Sequence, residues 1–142
     1  PARPGRRVVV AGETRPCRAT VEAARGASLL VHEATFTEEE RERAHETGHS
    51  TAAQAGTVAR DAGVDLLALT HLSTRCHPRE IRREAERQFP QRVVPRHIDQ
   101  VEVLFRERGA PRVRSLRERR ETAAAEDVES PAERATVSGD DL

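Results

Sequence analysis

Short apolar runs alternate with amphipathic segments along the first hundred residues of the chain. Three runs that contain β-branched residues predict strands, at residues 6 to 11, 28 to 32 and 65 to 70. The first run is continuously Val-rich, so it predicts a buried strand that ends at Gly12, where the chain can turn sharply. Two shorter apolar stretches, at residues 93 to 94 and 101 to 105, predict the final strands.

The segments between these runs carry helix signals. Helices are predicted over residues 16 to 25, 37 to 48, 51 to 63 and 78 to 89. Pro16 suits a first helical turn, and Thr37 with Glu40 forms a capping-box pattern. Ser50 or Thr51 can cap the third helix, and Gln54 would complete a box with Thr51. Strands that alternate with helices predict an α/β fold in which the loops at strand ends carry the function.

The composition changes after about residue 108, where charged residues mix with Ala, Ser and Pro. We therefore predict a folded domain over residues 1–108 and a charged tail over residues 109–142 that is disordered or partly helical. The Arg residues between positions 112 and 120 alternate with Glu, a pattern more typical of a solvated tail than of a phosphate-binding patch.

Composition limits both the core and the partners. The 142 residues suffice for one modest core, and with 36% hydrophobic and only 2% aromatic residues the packing must depend on Val, Leu, Ala and Ile. All 24 basic residues are Arg and 24 residues are acidic, so the net charge is zero. Because no global positive charge exists, any contact with nucleic acid must come from local Arg placement or from a missing part of the protein.

The remaining composition bears on the compartment. Cys17 and Cys76 lie far apart without a C-x-x-C spacing, which disfavours a disulfide framework and fits a reduced, cytoplasmic setting. No apolar run reaches the roughly 20 residues of a membrane span, and no secretory start is present. The chain begins with Pro rather than Met and enters a strand at once, which favours a truncated or excised segment.

Histidine placement is the most informative chemical feature. His32, His49 and His71 each lie at the end of a predicted strand or the start of a helix, and neutral imidazole is the commonest metal ligand. One such histidine is more often structural, because an imidazole at a strand end can hydrogen-bond the backbone. Three of them in successive loops favour a functional site.

Four sequence blocks share an order and spacing with a known family. They are GETRPC at 12–17, HEATF at 32–36, GHSTA at 48–52 and THLSTR at 70–75. Over roughly residues 5 to 105 the chain resembles ribonuclease Z, the transfer-RNA 3′-processing endonuclease of the metallo-β-lactamase superfamily. The pairing of HEAT with GHSTA is specific to that family. The resemblance implies the C-terminal half of a four-layered αββα sandwich.

The resemblance also implies roles for three residues in a two-zinc site. Glu13 falls on the carboxylate that bridges the two ions, and His71 falls on a histidine that ligates one of them. His49 matches a histidine beside the scissile phosphate, which helps to protonate the leaving oxygen. A bridging carboxylate suits this chemistry because it can span both metals, whereas an imidazole cannot.

Further residues are implied around these three. Arg75 and Ser73 match the part of the family's site that binds phosphate or RNA, a role suited to the planar guanidinium of Arg. His32, Glu33 and Thr51 would form a supporting layer that orients the loops carrying the ligands.

Two departures from the family pattern affect these expectations. Glu13 stands where the family has Asp, and its extra methylene group moves the carboxylate outward; the alternative is that Glu13 is a solvated loop residue. The family's H-x-H-x-D-H block and a further metal histidine are absent, and no H-x-H occurs in this sequence. Because zinc takes about four ligands, we expect the isolated chain to bind zinc weakly or not at all.

Three interpretations of function remain open. In the first, the chain is a portion of a zinc-dependent endoribonuclease whose intact, homodimeric, cytoplasmic form removes the 3′ trailer from precursor tRNA. In the second it belongs to another phosphodiesterase of the same fold acting on small diesters, against which the GHSTA block argues. In the third it is a non-catalytic or degenerate remnant that lends only loops to a partner.

Overall fold

A parallel sheet with helices packed on it forms the body of the molecule. The computed structural model describes residues 5–128, with side chains described through residue 122. The strands are Val8–Val10 (β1), Leu29–Glu33 (β2), Leu67–Thr70 (β3), Arg92–Val93 (β4), Gln100–Glu102 (β5) and Arg112–Arg114 (β6). The helices are Arg18–Ala24 (α1), Arg41–Thr47 (α2), Ala52–Ala62 (α3), Pro78–Gln88 (α4) and Leu116–Val128 (α5), with 3₁₀ turns at Glu38–Glu40 and Arg106–Arg108.

Strands β1 to β4 pair in chain order and all run in the same direction. Val9 lies opposite Leu30, Leu30 opposite Leu67, and Leu67 opposite Arg92. The predicted α/β class is therefore confirmed. Because the strands are parallel, their carboxyl ends meet at one edge of the sheet, which is where α/β proteins place their sites.

The main core lies between this sheet and helices α1, α3 and α4. Its buried apolar residues include Ala24, Leu30, Ala55, Val58, Ala59, Leu67, Leu69, Ile81 and Ala85. Small residues on α3 let α4 approach closely. A Cβ added to Gly56 would lie 2.8 Å from Gln88 Cβ and 2.9 Å from the Ala85 carbonyl oxygen. The sequence compensates for its lack of large aromatic side chains by bringing two helix backbones into near contact.

The opposite face of the sheet is only partly covered. Leu29, Leu66 and Ala68 are buried there and pack against Val101 and Val103. The prediction that the strand at residues 6 to 11 is buried is wrong for one face of β1, since Val8 is 51% exposed and Val10 is 69% exposed. A continuous apolar run predicts burial on both faces, but among the described residues only the Val9 side of β1 packs against the main core.

Local capping signals predict the hydrogen bonds at one helix start correctly and at another wrongly. Thr51 and Gln54 form the predicted capping box at the start of α3, with both reciprocal hydrogen bonds present. Thr37 makes no side-chain cap hydrogen bond, so the predicted box with Glu40 is wrong. The carboxylate of Glu84 in α4 accepts the Glu38 amide instead, at 2.9 and 3.1 Å. A tertiary contact from α4 replaces the local cap.

The first helix begins later than Pro16 suggests. Cys17 is its N-cap and Arg18 its first residue, so Pro16 lies in the loop before α1. Pro78 does stand at the start of α4, as predicted, with His77 as the N-cap.

The region after residue 108 contains ordered elements. β6 pairs with β5 in antiparallel register, with Val113 opposite Val101, and α5 follows it. The division of the chain at residue 108 stays a prediction, but the strand pairing across it was not expected from the sequence. Residues 129–142 of the predicted tail lie outside the described residues. No helix within the described part of the chain has the length and apolarity to cross a bilayer.

Candidate active site

The carboxyl ends of three neighbouring strands carry the predicted site residues. Glu13 follows β1 after Gly12, whose φ of 62° is in the left-handed region. Glu33 is the last residue of β2, and His71 directly follows β3. His71 itself has a φ of 53°, a conformation that costs a non-glycine residue energy and that occurs often at functional sites. The parallel sheet therefore brings these three side chains to a common edge.

His49 reaches the same edge from the turn between α2 and α3. Gly48 ends α2 with a φ of 79°, and the next residues run beside the segment that follows β2. The Phe36 amide donates to the Ser50 carbonyl oxygen at 3.3 Å, and the Ala52 amide donates to the Phe36 carbonyl oxygen at 2.9 Å. These bonds fix the turn to the sheet and place the His49 ring at the strand ends.

Glu33 is the buried centre of this arrangement. Its side chain is 0% exposed, and both carboxylate oxygens accept hydrogen bonds. Oε1 accepts from the Thr14 amide at 2.9 Å and from His49 Nδ1 at 2.8 Å. Oε2 accepts from the Thr35 hydroxyl at 2.6 Å, the Thr35 amide at 3.2 Å and the Ser50 amide at 3.1 Å. One carboxylate thus joins the loops after β1 and β2 and the turn before α3.

The hydrogen bonds keep the Glu33 carboxylate ionised despite its burial. Burial by itself raises its pKa, but the bonds from the Thr35 hydroxyl, the Ser50 and Thr14 amides and His49 outweigh that effect, so the pKa lies below its usual range. An ionised carboxylate can only accept, so His49 Nδ1 carries the hydrogen in the 2.8 Å contact. His49 Nε2 is left to bind a ligand or to carry a proton.

Glu13, His49 and His71 form a cluster that could hold a metal ion. One ligand atom from each lies within 4.8 Å of the others. His71 Nε2 is 3.4 Å from Glu13 Oε1, and the His49 and His71 rings stack with centroids 5.4 Å apart. A carboxylate and two imidazoles are the nitrogen and oxygen donors that zinc accepts. The donor set therefore fits zinc and leaves positions for other ligands.

Arg75 and Ser73 lie just beyond His71, in the loop between β3 and α4. The Arg75 guanidinium pairs with Glu40 at 3.3 Å and is 58% exposed. The Ser73 hydroxyl accepts from the Arg75 amide at 3.3 Å, and the Ser73 amide donates to the Thr35 carbonyl oxygen at 3.0 Å. The loop is thereby tied to Thr35, which holds Glu33, while the Arg75 guanidinium pairs with Glu40.

The residues predicted to support the site divide into two groups. Glu33 contacts His49 directly, as described above, and His32 contacts the backbone beside it, donating from Nδ1 to the Glu33 carbonyl oxygen at 2.8 Å. His32 is fully buried, and its Nε2 has no hydrogen-bond partner among the described residues. Thr51 caps α3 and donates to Glu38 at 2.9 Å, so its hydrogen bonds stabilise the helix start rather than the cluster.

Sequence reasoning missed three residues that hold Glu33 in place. Thr14, Thr35 and Ser50 supply the amides and the hydroxyl on its carboxylate, and the Ser50 hydroxyl also donates to the Thr14 carbonyl oxygen at 2.6 Å. Each stands next to a residue that the sequence patterns did indicate. A carboxylate at the end of a buried strand requires such donors, so small hydroxyl residues in the adjoining loops were the available signal.

Comparisons with known proteins show which proteins this chain is similar to. No family model matches the chain. Ribonuclease Z from Myxococcus xanthus is 63% identical over 73 residues, which are 51% of this chain and 24% of that protein. Ribonuclease Z from Gemmatimonas aurantiaca is 47% identical over 107 residues, 74% of this chain and 34% of that protein. The chain spans about a third or less of the length of the curated relatives it matches.

Among solved structures, the metallo-β-lactamase fold protein YhfI from Bacillus subtilis superposes with a TM-score of 0.57 at 28% identity. The match covers 61% of this chain and 35% of that protein. The resemblance to ribonuclease Z is thus confirmed over the part of the family's length that the chain spans, and the sheet and its helices belong to the metallo-β-lactamase fold.

Proposed function

We propose that this chain contributes part of the active site of a zinc-dependent RNA phosphodiesterase of the ribonuclease Z type, which removes the 3′ trailer from precursor tRNA. The observation that carries the proposal is the convergence of Glu13, His49 and His71 within 4.8 Å at one sheet edge. The similarity to ribonuclease Z in sequence supports the substrate class.

Glu13 and His71 are the metal ligands in this proposal. Both are partly open to solvent, with side chains 64% and 47% exposed, so a ligand from another polypeptide segment can reach the same ion. Zinc, when bound there, lowers the pKa of a water molecule and stabilises the negative charge that develops on the phosphate. His71 Nε2 faces Glu13 Oε1 at 3.4 Å, so both ligands can reach one ion.

His49 is the proton donor for the leaving oxygen. Its Nδ1 is held by Glu33, which fixes both the ring orientation and the tautomer, so Nε2 is the atom that delivers the proton. The side chain is only 19% exposed, which limits competing exchange with bulk water. Glu33 is a positioning residue here, because it acts on the reaction only through His49.

Arg75 and Ser73 bind the phosphate in this proposal. The guanidinium pairs with Glu40 across an exposed contact of 3.3 Å, and an exposed ion pair contributes little free energy. A phosphate, which can accept two hydrogen bonds from a guanidinium, can therefore replace the single contact to Glu40 at small cost. Ser73, next to it in the loop, offers a hydroxyl to the same anion.

A chimera that carries the residues of this chain within a complete ribonuclease Z tests the proposal. The matching segment of the Myxococcus xanthus ribonuclease Z is replaced by the corresponding residues of this chain, and cleavage of a precursor tRNA is measured together with zinc content. We expect the chimera to cleave at the 3′ trailer. His71→Ala should lower both zinc content and rate, whereas His49→Ala should lower the rate by roughly 10²- to 10⁴-fold and leave zinc content unchanged.

The same chimera tests the departure at position 13. Glu13→Asp shortens the side chain by one methylene group, and we expect higher zinc occupancy and faster turnover, because a ligand tolerates displacements of only about ±0.2 Å. Unchanged metal content and rate would show that Glu13 is a solvated loop residue.

The alternatives make different predictions in these assays. A chimera that folds and binds zinc but does not cleave any precursor tRNA would favour a non-catalytic role for the chain. Cleavage of small phosphodiesters without cleavage of tRNA would favour the other phosphodiesterase class of the same fold, which acts on small diesters. We also propose that the whole protein is a homodimer in a reduced, cytoplasmic setting. Sedimentation of the chimera tests the dimer.

A further inference from the structure

A cavity of about 830 Å³ opens beside the candidate active site. It lies between the loop after β3, the start of α4 and the segment after β4. His71 lines it on the side of the cluster, and Leu72 and Val94 contribute apolar surface. The cavity is thus continuous with the site through a shared residue, yet most of its lining comes from residues outside the proposed catalytic machinery.

The charge of the lining has one sign. Arg79, Arg82 and Arg96 line the cavity together with His77 and His97. Arg79 and Arg82 are three residues apart in α4 and so share a face of the helix, and Arg96 reaches the cavity from the segment that follows β4. No Asp or Glu is among the lining residues.

These arginines are also unneutralised. Within the described side chains, none of Arg79, Arg82 and Arg96 forms an ion pair with a carboxylate. The chain as a whole has as many acidic as basic residues, and other concave regions of the surface mix both signs. Asp99 lies beside the cavity, where its carboxylate accepts the Arg96 backbone amide at 2.8 Å, but no carboxylate is among the lining residues. A concave group of guanidinium ions concentrates positive potential and attracts an anion.

We propose that this cavity binds the RNA backbone next to the cleaved bond, with Arg79, Arg82 and Arg96 on the phosphates that flank the scissile one. The inference rests on the proposed function for the identity of the polymer. Arg79 and Arg82 lie one helix turn apart, with Cβ atoms roughly 5–6 Å from each other, and Arg96 adds a third guanidinium from a different segment, so the cavity offers contacts for more than one phosphate. The shared residue His71 sets the direction, from the cluster outward along the start of α4.

The lining also predicts how the RNA is read. Unpaired bases stack on aromatic rings or guanidinium planes, a contact that tolerates any base; no Phe lines the cavity, and its rings are those of His71, His77 and His97. The apolar contribution comes from residues such as Leu72, Val94 and Pro95, which provide contact area without base-edge hydrogen bonds. The cavity therefore binds phosphates with little preference for base sequence, as suits residues that hold a strand in register.

The test is a binding titration with the 142-residue chain. Fluorescence anisotropy of a labelled single-stranded oligouridylate is measured across a range of salt concentrations for the unaltered chain and for an Arg79→Ala/Arg82→Ala/Arg96→Ala variant. Removal of each charge-assisted hydrogen bond should weaken binding on the order of tenfold at low salt. The slope of log K against log salt should fall by about 2, since each phosphate bound on a single strand contributes about 0.7.

Arg83→Ala is the matched control. Arg83 is exposed on the same helix, next to Arg82, and does not line the cavity. At about 0.15 M salt, where the Debye length is about 8 Å, it should leave the affinity within about twofold, because Arg83 is not among the residues that line the cavity. Circular dichroism confirms that each variant folds.

The outcomes separate this inference from the proposed function. Absence of binding by the unaltered chain at the lowest salt, or equal decreases in affinity for Arg83→Ala and the triple variant, would overturn the cavity assignment. The assignment would also be overturned if the chain bound a polyglutamate peptide as tightly as RNA and the triple variant did not bind it, since the site would then fit an acidic protein.

The chimera separates the two proposals. If the chimera cleaves tRNA equally well with and without the three arginines, the proposed function stands and this inference fails. Binding that depends on the three arginines, with a chimera that cannot cleave, would retain the RNA cavity and reject the function.

Discussion

Glu33 and Glu13 lie at the ends of adjacent parallel strands, yet their surroundings are opposite. Glu33 is 0% exposed and each of its oxygens accepts hydrogen bonds from this chain. Glu13 is 64% exposed, and it faces His71 Nε2 at 3.4 Å. One carboxylate is therefore satisfied by the fold itself, while the other is left open toward solvent.

The difference separates positioning from ligation. A buried carboxylate with several donors holds loops rigidly, because moving any one of them leaves an unsatisfied buried charge. An exposed carboxylate near two imidazoles is free to take a further partner, which is what a metal ligand must do. The chain thus orients His49 by itself and leaves the other half of the site accessible.

Breaking the buried region should have the largest effect. Glu33→Gln keeps the side-chain shape but removes the charge and turns one acceptor into a donor that faces backbone amides and His49. We expect the free energy of unfolding to fall by about 3 kcal/mol, measured by urea denaturation of the 142-residue chain. A decrease below about 0.5 kcal/mol, the scale of an ordinary surface substitution, would mean that water replaces the carboxylate and that the region is not rigid.

A substitution at the contact between α3 and α4 should have the next largest effect on the free energy of unfolding. Gly56→Ala places a methyl group 2.8 Å from Gln88 Cβ and 2.9 Å from the Ala85 carbonyl oxygen, so α4 must move away from α3. We expect the free energy of unfolding to fall by about 2 kcal/mol, although helix propensity alone predicts a gain of about 1 kcal/mol. The sign of the change in urea midpoint decides between the two, and a gain would show that the helices behind the site are loosely packed.

Acid should weaken the buried region first. Burial lowers the pKa of His32 below its ordinary value, against smaller opposing effects from Glu33. The unfolded chain then binds the proton at higher pH than the folded chain, so this contribution is present above about pH 6.5 and is lost as the pH falls below it. The Glu33 pKa is also lowered, which adds a loss of stability with the same sign below about pH 4.3.

A substitution isolates the histidine part of this acid sensitivity. His32→Asn retains a donor toward the Glu33 carbonyl oxygen but cannot titrate. Between about pH 7 and pH 5 the unaltered chain should lose stability with a slope of at most about 1.4 kcal/mol per pH unit, the limit for one proton, and the variant should show a flatter profile. Parallel profiles would mean that His32 is protonated as readily in the folded state as in the unfolded state.

The exposed region should give the smallest change in stability. Glu13→Gln is the matched counterpart of Glu33→Gln, since both remove one carboxylate at a strand end. Because Glu13 is exposed, we expect the free energy of unfolding to change by less than about 0.5 kcal/mol. A decrease comparable to that of Glu33→Gln would erase the contrast between the two regions.

Much of the architecture could be predicted from local signals. The strand end at Thr70, the capping box of Thr51 and the start of α4 at Pro78 depend on short-range chemistry, and the structure has them where the pattern indicates. The first strand ends at Val10, two residues before Gly12. The parallel arrangement then follows from alternation of strands and helices. Resemblance to a family, rather than periodicity, indicated the three residues of the cluster.

What could not be predicted depends on contacts between distant segments. Whether Thr37 caps a helix depends on Glu84, which is 47 residues further along the chain and accepts the Glu38 amide. The exposure of Val8 depends on what covers the second face of the sheet. The charge of the cavity depends on how Arg96 folds back beside α4. Sequence patterns do not show these contacts between segments that lie far apart in the chain.

Whether zinc binds to Glu13 and His71, with the His49 ring stacked beside them, can be decided by nuclear magnetic resonance of the imidazole groups. The 142-residue chain is titrated with zinc while the ring signals of its histidines are followed. We predict weak binding in which the His49 and His71 signals shift together, while those of the other exposed histidines stay near their starting positions. Equal shifts at all exposed histidines, or first shifts at His45 or His97, would contradict the existence of the cluster.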